Sequence, residues 1–277
     1  MKRNILLTTA ACFLVFLSTG LLIAQDEPTP VMPAFETLTL VDAQTTANPY
    51  KGQFLLEIQH RFSQIKEISD IYGIYGSANT RIGLSYGITD KIMVGFGTTR
   101  KNMLQDLEWK YSILTQTSKM PISLSYHGNA VLDARDKKYF GPEEDYQFAY
   151  RMSYLNELIV STRIGNKVSL QVAPSFVWFN AVPEGYNNIN ASINAGARLQ
   201  VLGFSSIILE YEQPLIDAET DVYPNLAFGV EIGTSTHSFR VFASNYDYIV
   251  RNQSIAFNSN NPWDGDFRFG FNITIRF

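Results

Sequence analysis

The chain contains three histidines, His60, His127 and His237, the side chains best suited to moving a proton near neutral pH. His127 follows Ser123 and Ser125, and in an extended segment Ser125 and His127 point to the same face, close enough for an imidazole to activate a hydroxyl. The chemistry implied is nucleophilic hydrolysis. Nothing else supports it: there is no G-x-S-x-G, no H-E-x-x-H and no phosphate loop. Asp133, Asp136, Glu143, Glu144 and Asp145 crowd one loop and offer oxygens suited to a hard cation, but Arg135, Lys137 and Lys138 lie among them. A solvated, charge-balanced loop is expected there. No catalytic, cofactor or metal residues are assigned.

A larger set of ionisable residues shares one strand parity. Glu57, Arg61, Arg81, Glu108, Lys110, His127, Arg151, Arg198, Glu210, Glu212, Glu231, Arg240 and Arg268 all fall opposite the apolar side chains of their segments, as do Glu157, Arg163 and Arg276. Acidic and basic residues alternate from segment to segment. On a closed sheet they would line the interior, where unpaired charge is costly. Glu231 and Arg240 flank a turn at Ser235-Thr236 and are expected to face each other as a cross-strand ion pair. Mixed charge of this kind suits either a packed polar filling or a narrow channel for small polar solutes.

The elements that must hold these charges are strands. The last eleven residues, FRFGFNITIRF, put Phe267, Phe269, Phe271, Ile273, Ile275 and Phe277 on one face, with only polar residues or glycine on the other. A transmembrane barrel strand has this length and this alternation, lipid outside and lumen inside. About twelve such segments follow one another: 54–62, 81–88, 91–99, 107–113, 122–132, 146–163, 168–179, 189–201, 207–212, 226–233, 239–245 and 267–277. Short turns follow the even segments and longer loops the odd ones, which predicts an up-and-down antiparallel barrel with both ends in the periplasm. Outward Phe62, Phe148, Tyr150, Trp178, Tyr211 and Phe267 fall at external strand ends and Phe54, Tyr86 and Phe277 at periplasmic ends, as two interfacial girdles. Asn156 is the exception, a polar residue with outward parity that predicts a register shift or a position beyond the hydrocarbon.

Composition agrees. Charged residues make up 17% of the chain and aromatic residues 13%. Lys2 and Arg3, an apolar run and Ala24 read as a cleaved export signal over 1–24. Its removal leaves 20 basic against 26 acidic residues, a net charge of −6, which argues against a nucleic-acid partner. Cys12, the only cysteine, goes with the leader. Residues 25–51 form a Pro-spotted periplasmic tail, to be read either as an added strand or as a short segment inserted into the lumen; its Glu36-Thr37-Leu38-Thr39-Leu40 looks like the box by which much larger energised receptors engage a periplasmic motor. The loop 247–265, with Asn252, Asn258, Asn260, Asn261 and Trp263, suits carbohydrate contact, folding over the mouth or plain exposure.

The stretch NTRIGLSYGITDKIMVGFG at 79–97, with its Tyr86-Gly87-Ile88-Thr89-Asp90 unit, the HRF at 60–62 and the ending DGDFRFGFNITIRF at 264–277 resemble a Bacteroidetes-type family of outer-membrane β-barrels known only as a domain of unknown function. The resemblance implies a barrel in the outer membrane and supplies no activity. The expectation is therefore an outer-membrane barrel over 52–277, in contact with lipid and recognised by the barrel-assembly machinery through a last strand ending at Phe277. It would act as a small pore or transporter for polar solutes. A closed structural or adhesive barrel is the alternative, and a membrane-embedded hydrolase the weaker third.

Overall fold

The computed structural model describes residues 28–66 and 73–277; the leader lies outside the described residues. Twelve antiparallel strands run β1 (Phe54–Gln64), β2 (Asn79–Thr89), β3 (Ile92–Thr99), β4 (Leu104–Leu114), β5 (Ser123–Asp133), β6 (Met152–Ile164), β7 (Val168–Phe179), β8 (Ile189–Leu202), β9 (Ser205–Pro214), β10 (Asn225–Gly233), β11 (His237–Ser244) and β12 (Arg268–Arg276). Each pairs with the next, and β12 returns to β1 with Ile273 opposite Ile58, so the sheet closes and leaves no edge.

Period-two alternation fixes which face meets which medium. On β2, Ile82, Leu84, Tyr86 and Ile88 are 36–49% exposed on the outside, whereas Arg81 and Ser85 are buried within. Aromatic side chains gather at the rims: Phe54 lies against Tyr86 with ring centroids 4.6 Å apart at one end, and Phe228 meets Phe267 edge-on at 5.6 Å near the other.

Polar groups on the outer face find local partners. Asn156 keeps its outward position in an unshifted register opposite Gly128, and accepts a hydrogen bond from Tyr126 Oη at 2.5 Å. No bulge is present there. Gly128 itself is overlain by Trp109, whose ring leaves no space for a Cβ there. His60 stacks on Phe271 at 5.0 Å with rings nearly parallel. Pro174 stands within β7, yet Glu157↔Ser175 and Val160↔Val172 belong to one register, so the proline removes a donor without shifting the ladder.

Several boundaries and loop lengths differ from the sequence reading. β6 begins at Met152, because 148–151 form a 3₁₀ turn at the external rim. The connection between β3 and β4 spans only 100–103, shorter than an odd-numbered loop was expected to be; Asn102 at φ 60° and Met103 at φ 47° reverse the chain within that space. Conversely, the connection 115–122 between β4 and β5, expected to be a short turn, is long, and the tail docks on it through a Pro30–Thr117 bridge and a Ser118 N–H to Thr29 O bond of 3.0 Å.

The outward face makes a direct prediction. Val230, 46% exposed on the lipid side of β10, should tolerate leucine, whereas Val230→Arg should lower stability in vesicles by about 2–4 kcal/mol. Urea unfolding of the two variants checks this, and equal midpoints would mean that this face does not contact hydrocarbon.

Candidate functional site

The interior is filled from both ends by the chain itself. From the end of the barrel that carries both termini, residues 34–45 rise into the lumen as a hairpin, with Phe35, Leu38, Leu40, Val41 and Ala43 all at most 4% exposed. A turn closed by Leu40 N–H to Ala43 O at 2.9 Å shapes its tip, and Thr45 N–H to Leu38 O at 2.7 Å ties its legs. Leu38 and Leu40 therefore serve as packing in the segment that looked like a receptor box. The seat is apolar: Phe35, Leu40 and Val41 pack on inward-facing Ile208, Ala227 and Phe242, joined by Tyr246, while Leu38 meets Leu55 and Met93.

Around that seat the contacts are ionic and polar. The Glu210 carboxylate accepts the backbone N–H groups of Val41 at 2.9 Å and of Asp42 and Ala43 at 3.1 Å each, an oxyanion held in a nest of main-chain donors. Tyr246 Oη donates to the same carboxylate at 3.3 Å. Asp42 pairs with Arg61 at 2.6 Å and accepts from Gln59 Nε2 at 2.8 Å. Lys110 Nζ donates to Gln44 Oε1 and to Thr45 O, both at 3.0 Å, while Gln44 Nε2 donates to Glu108 at 3.0 Å. Arg81 lies flat across Gly97, where a Cβ would stand 2.4 Å from the guanidinium, and so reaches Asp106 at 2.6 Å.

Glu231 and Arg240 are register partners on β10 and β11 as expected, but the ion pair between them is not made. Arg240 binds Glu57 at 2.6 Å together with Thr39 Oγ1 at 2.7 Å and the Thr39 carbonyl, whereas Glu231 binds Arg198 at 2.7 Å. The tail's carbonyl gives Arg240 an acceptor that a bare cross-strand pairing lacks. Arg198 also reaches Glu36 of the tail at 3.2 Å.

From the opposite end, the connection 245–267 folds inward and carries a short helix, α1 (Arg251–Phe257), whose first six residues are buried. Arg251 joins Glu157 to Glu212, the latter at 2.5 Å, and donates to Ser175 Oγ at 3.2 Å. His127 lies between Glu157 at 2.8 Å and Glu108 at 3.5 Å, and the Ser125 hydroxyl is buried without a hydrogen-bond partner among the described residues. The hydroxyl–imidazole pair that hydrolysis would need is thus not formed. Between hairpin and helix remains a cavity of about 30 Å³ bordered by Asp42, Arg81, Glu108, His127 and Asn252, room for one or two waters.

Arg151 and Arg268 belong to the external rim rather than to the packed middle. Arg151 donates to Tyr146 Oη and to the carbonyls of Asp133 and Arg135, and Arg268 approaches Asp247 at 3.4 Å. Above α1 an open vestibule of about 480 Å³ is walled by aromatic rings. Tyr248, at this rim, is pushed up to about 12 by burial and by the neighbouring Asp247 carboxylate, so its hydroxyl keeps its proton. In the charged loop 133–145, Asp133 is paired with Arg135 at 2.6 Å. Among the described residues no cluster of three or more histidine or acidic side chains is set to hold a metal.

Asp42, Asp106 and Arg251, all partners of the inward charges, escaped the sequence reading. Asp106 lies one step beyond the expected start of its strand, and the other two sit in connections to which parity cannot be assigned. A usable signal was present: Met93, Ile208 and Phe242 have inward parity, and apolar side chains facing a water-filled lumen mark a surface that something covers.

A closed antiparallel barrel with a lipid-compatible outer face and an ionic interior defines a membrane-spanning β-barrel. The chain belongs to the family described as a membrane bound beta barrel domain, DUF5777, whose model matches residues 35–277 and so takes in the hairpin with the barrel. No curated protein matches the sequence significantly. Among solved structures, the KdgM porin in complex with disordered oligogalacturonate matches at 8% identity and TM-score 0.52, over 80% of this chain and 99% of the other. The NanC porin matches at 8% identity and TM-score 0.51, over 80% and 98%. At such identity the likeness is one of fold.

Glu210 should anchor the hairpin. Glu210→Ala is expected to speed amide exchange of residues 38–45 by at least about tenfold, since three buried N–H groups lose their acceptor. Hydrogen exchange by mass spectrometry reads this, and wild-type protection in the variant would transfer the anchoring role to the apolar seat.

Proposed function

We infer that the protein is an outer-membrane conduit for small polar solutes, held shut by its own amino-terminal hairpin. The leader at 1–24 would export it, and the terminal strand, ending in the exposed Phe277, would present it to the assembly machinery. One observation carries the reading: outside its apolar seat, the wall around the hairpin is polar. Gln59, Arg61, Lys110, Gln171, Asn194, Arg198, Glu210 and Arg240 surround it, so its withdrawal would leave a surface that water wets. The porin fold of the structural neighbours agrees with passage, and the carbohydrate named with one of them makes a small polar solute a reasonable cargo. The luminal charges read from sequence, among them Glu57, Arg81, Glu108, Glu212 and Glu231, would then set selectivity once the hairpin no longer covers them.

A second reading has its own support. The apolar seat of Ile208, Ala227 and Phe242 is covered to 2% exposure or less, as expected of a permanent filling and hence of a closed envelope barrel. Conductance separates the two. Full-length protein in planar bilayers should be silent or open rarely, and a chain lacking residues 28–48 should give stepwise, ion-selective openings. If that shortened chain assembles, as judged by heat-modifiable mobility, and still does not conduct after residues 246–266 are also replaced by a short linker, passage is ruled out and the closed barrel stands.

A further inference from the structure

The external vestibule has the construction of a binding site, and it does not depend on whether the lumen ever opens. One wall is a train of rings: Phe257 meets Phe179 edge-on at 5.0 Å and Tyr186 at 4.9 Å. The facing wall is held by guanidinium groups, with Arg135 over Tyr139 at 4.8 Å and Arg151 over Phe140 at 4.8 Å. Stacking of this kind fixes ring orientation before any ligand arrives, which lowers the ordering cost of binding. Between the walls lie about 480 Å³, within the range of small-molecule sites.

The lining also limits what can occupy it. Arg135 is bound to Asp133 through Nε and Nη2, and Arg151 donates to Tyr146 Oη and two backbone carbonyls. Arg135 is charge-paired, whereas the partners of Arg151 are neutral, so one cation remains able to meet an acidic substituent on a guest. A wholly apolar guest would strip water from Asp133, Arg135 and Gln253 without replacing those hydrogen bonds. What suits two ring-faced walls bearing tyrosine hydroxyls and a polar floor is a molecule with C–H faces and hydroxyl edges. We propose that the vestibule formed by these two aromatic walls is a carbohydrate-binding site, which receives an oligosaccharide from outside the cell with its sugar rings stacked on Tyr139 and Tyr186. α1 is its floor, since Gln253 and Phe257 border the vestibule while Arg251 of the same helix grips Glu157 and Glu212 below.

The test is calorimetric titration of the full-length protein, in a detergent without a sugar headgroup, with maltotriose, cellotriose and trigalacturonate in turn. At least one should give a saturable isotherm, and Tyr139→Ala and Tyr186→Ala should each weaken it about tenfold. Trp178→Ala, on the lipid face, should bind as wild type and serves as the control for loss of a rim aromatic. Tyr139 is 58% exposed on a loop, so its removal leaves the barrel standing, and heat-modifiable mobility verifies this for both variants. Absence of a saturable isotherm with all three sugars, or undiminished affinity in both tyrosine variants, overturns the proposal. A bilayer that stays silent bears only on conduction and leaves this site as it is.

Discussion

A carboxylate taken out of water must be given its hydrogen bonds back, and this barrel meets that requirement with parts of the chain that belong to no strand. Glu210 is 3% exposed, and its oxygens are satisfied by main-chain N–H groups at the tip of the hairpin. The same logic applies around the wall: Asp42 comes to Arg61, the Thr39 carbonyl to Arg240, and Arg251 descends from above to Glu157 and Glu212. Strands also neutralise one another, as in Arg81–Asp106, Arg240–Glu57 and Arg198–Glu231, and tail and loop supply the partners that the wall lacks. Buried ion pairs add little net stability against an apolar filling, but breaking one leaves an uncompensated charge and costs several kcal/mol, about 3–5 in typical cases. The arrangement therefore specifies one position for hairpin and helix more than it adds to their affinity.

The barrel was legible because its physics has period two. Phe269, Phe271 and Ile273 on one side and Gly270, Asn272 and Thr274 on the other leave a single way to orient β12 between lipid and lumen, and the same rule carries through eleven more strands. The Glu231–Arg240 register followed from turn length alone, yet their side-chain partners did not, because a long guanidinium chooses among every acceptor within reach and the best one came from residue 39. The site is less legible for the same reason. Residues 34–45 and 245–257 obey no repeat of their own; they are shaped by the cavity into which they pack, and a one-dimensional pattern does not contain that cavity.

The two inserts meet. Tyr246, at the root of the external connection, lies in the same apolar cluster as Phe35, Leu40 and Val41 of the hairpin and shares Glu210 with it. α1 then continues to Arg251 and on to the floor of the vestibule. An unbroken set of contacts thus joins the vestibule at one end of the barrel to the amino-terminal tail at the other. The family's boundary at Phe35 fits this anatomy, since the hairpin is as much a part of the domain as the strands are.

The hairpin leads directly into β1, the strand on which the sheet closes, and its bonds reach across nearly the whole chain: Arg240 to Thr39 spans 201 residues and Asn272 to Val41 spans 231. Contacts of such sequence separation form late, because the intervening loop entropy must be met first. Filling the bore and closing the sheet are thus tied together, since the hairpin's partners Glu57, Arg240 and Asn272 stand on β1, β11 and β12, the strands at the seam.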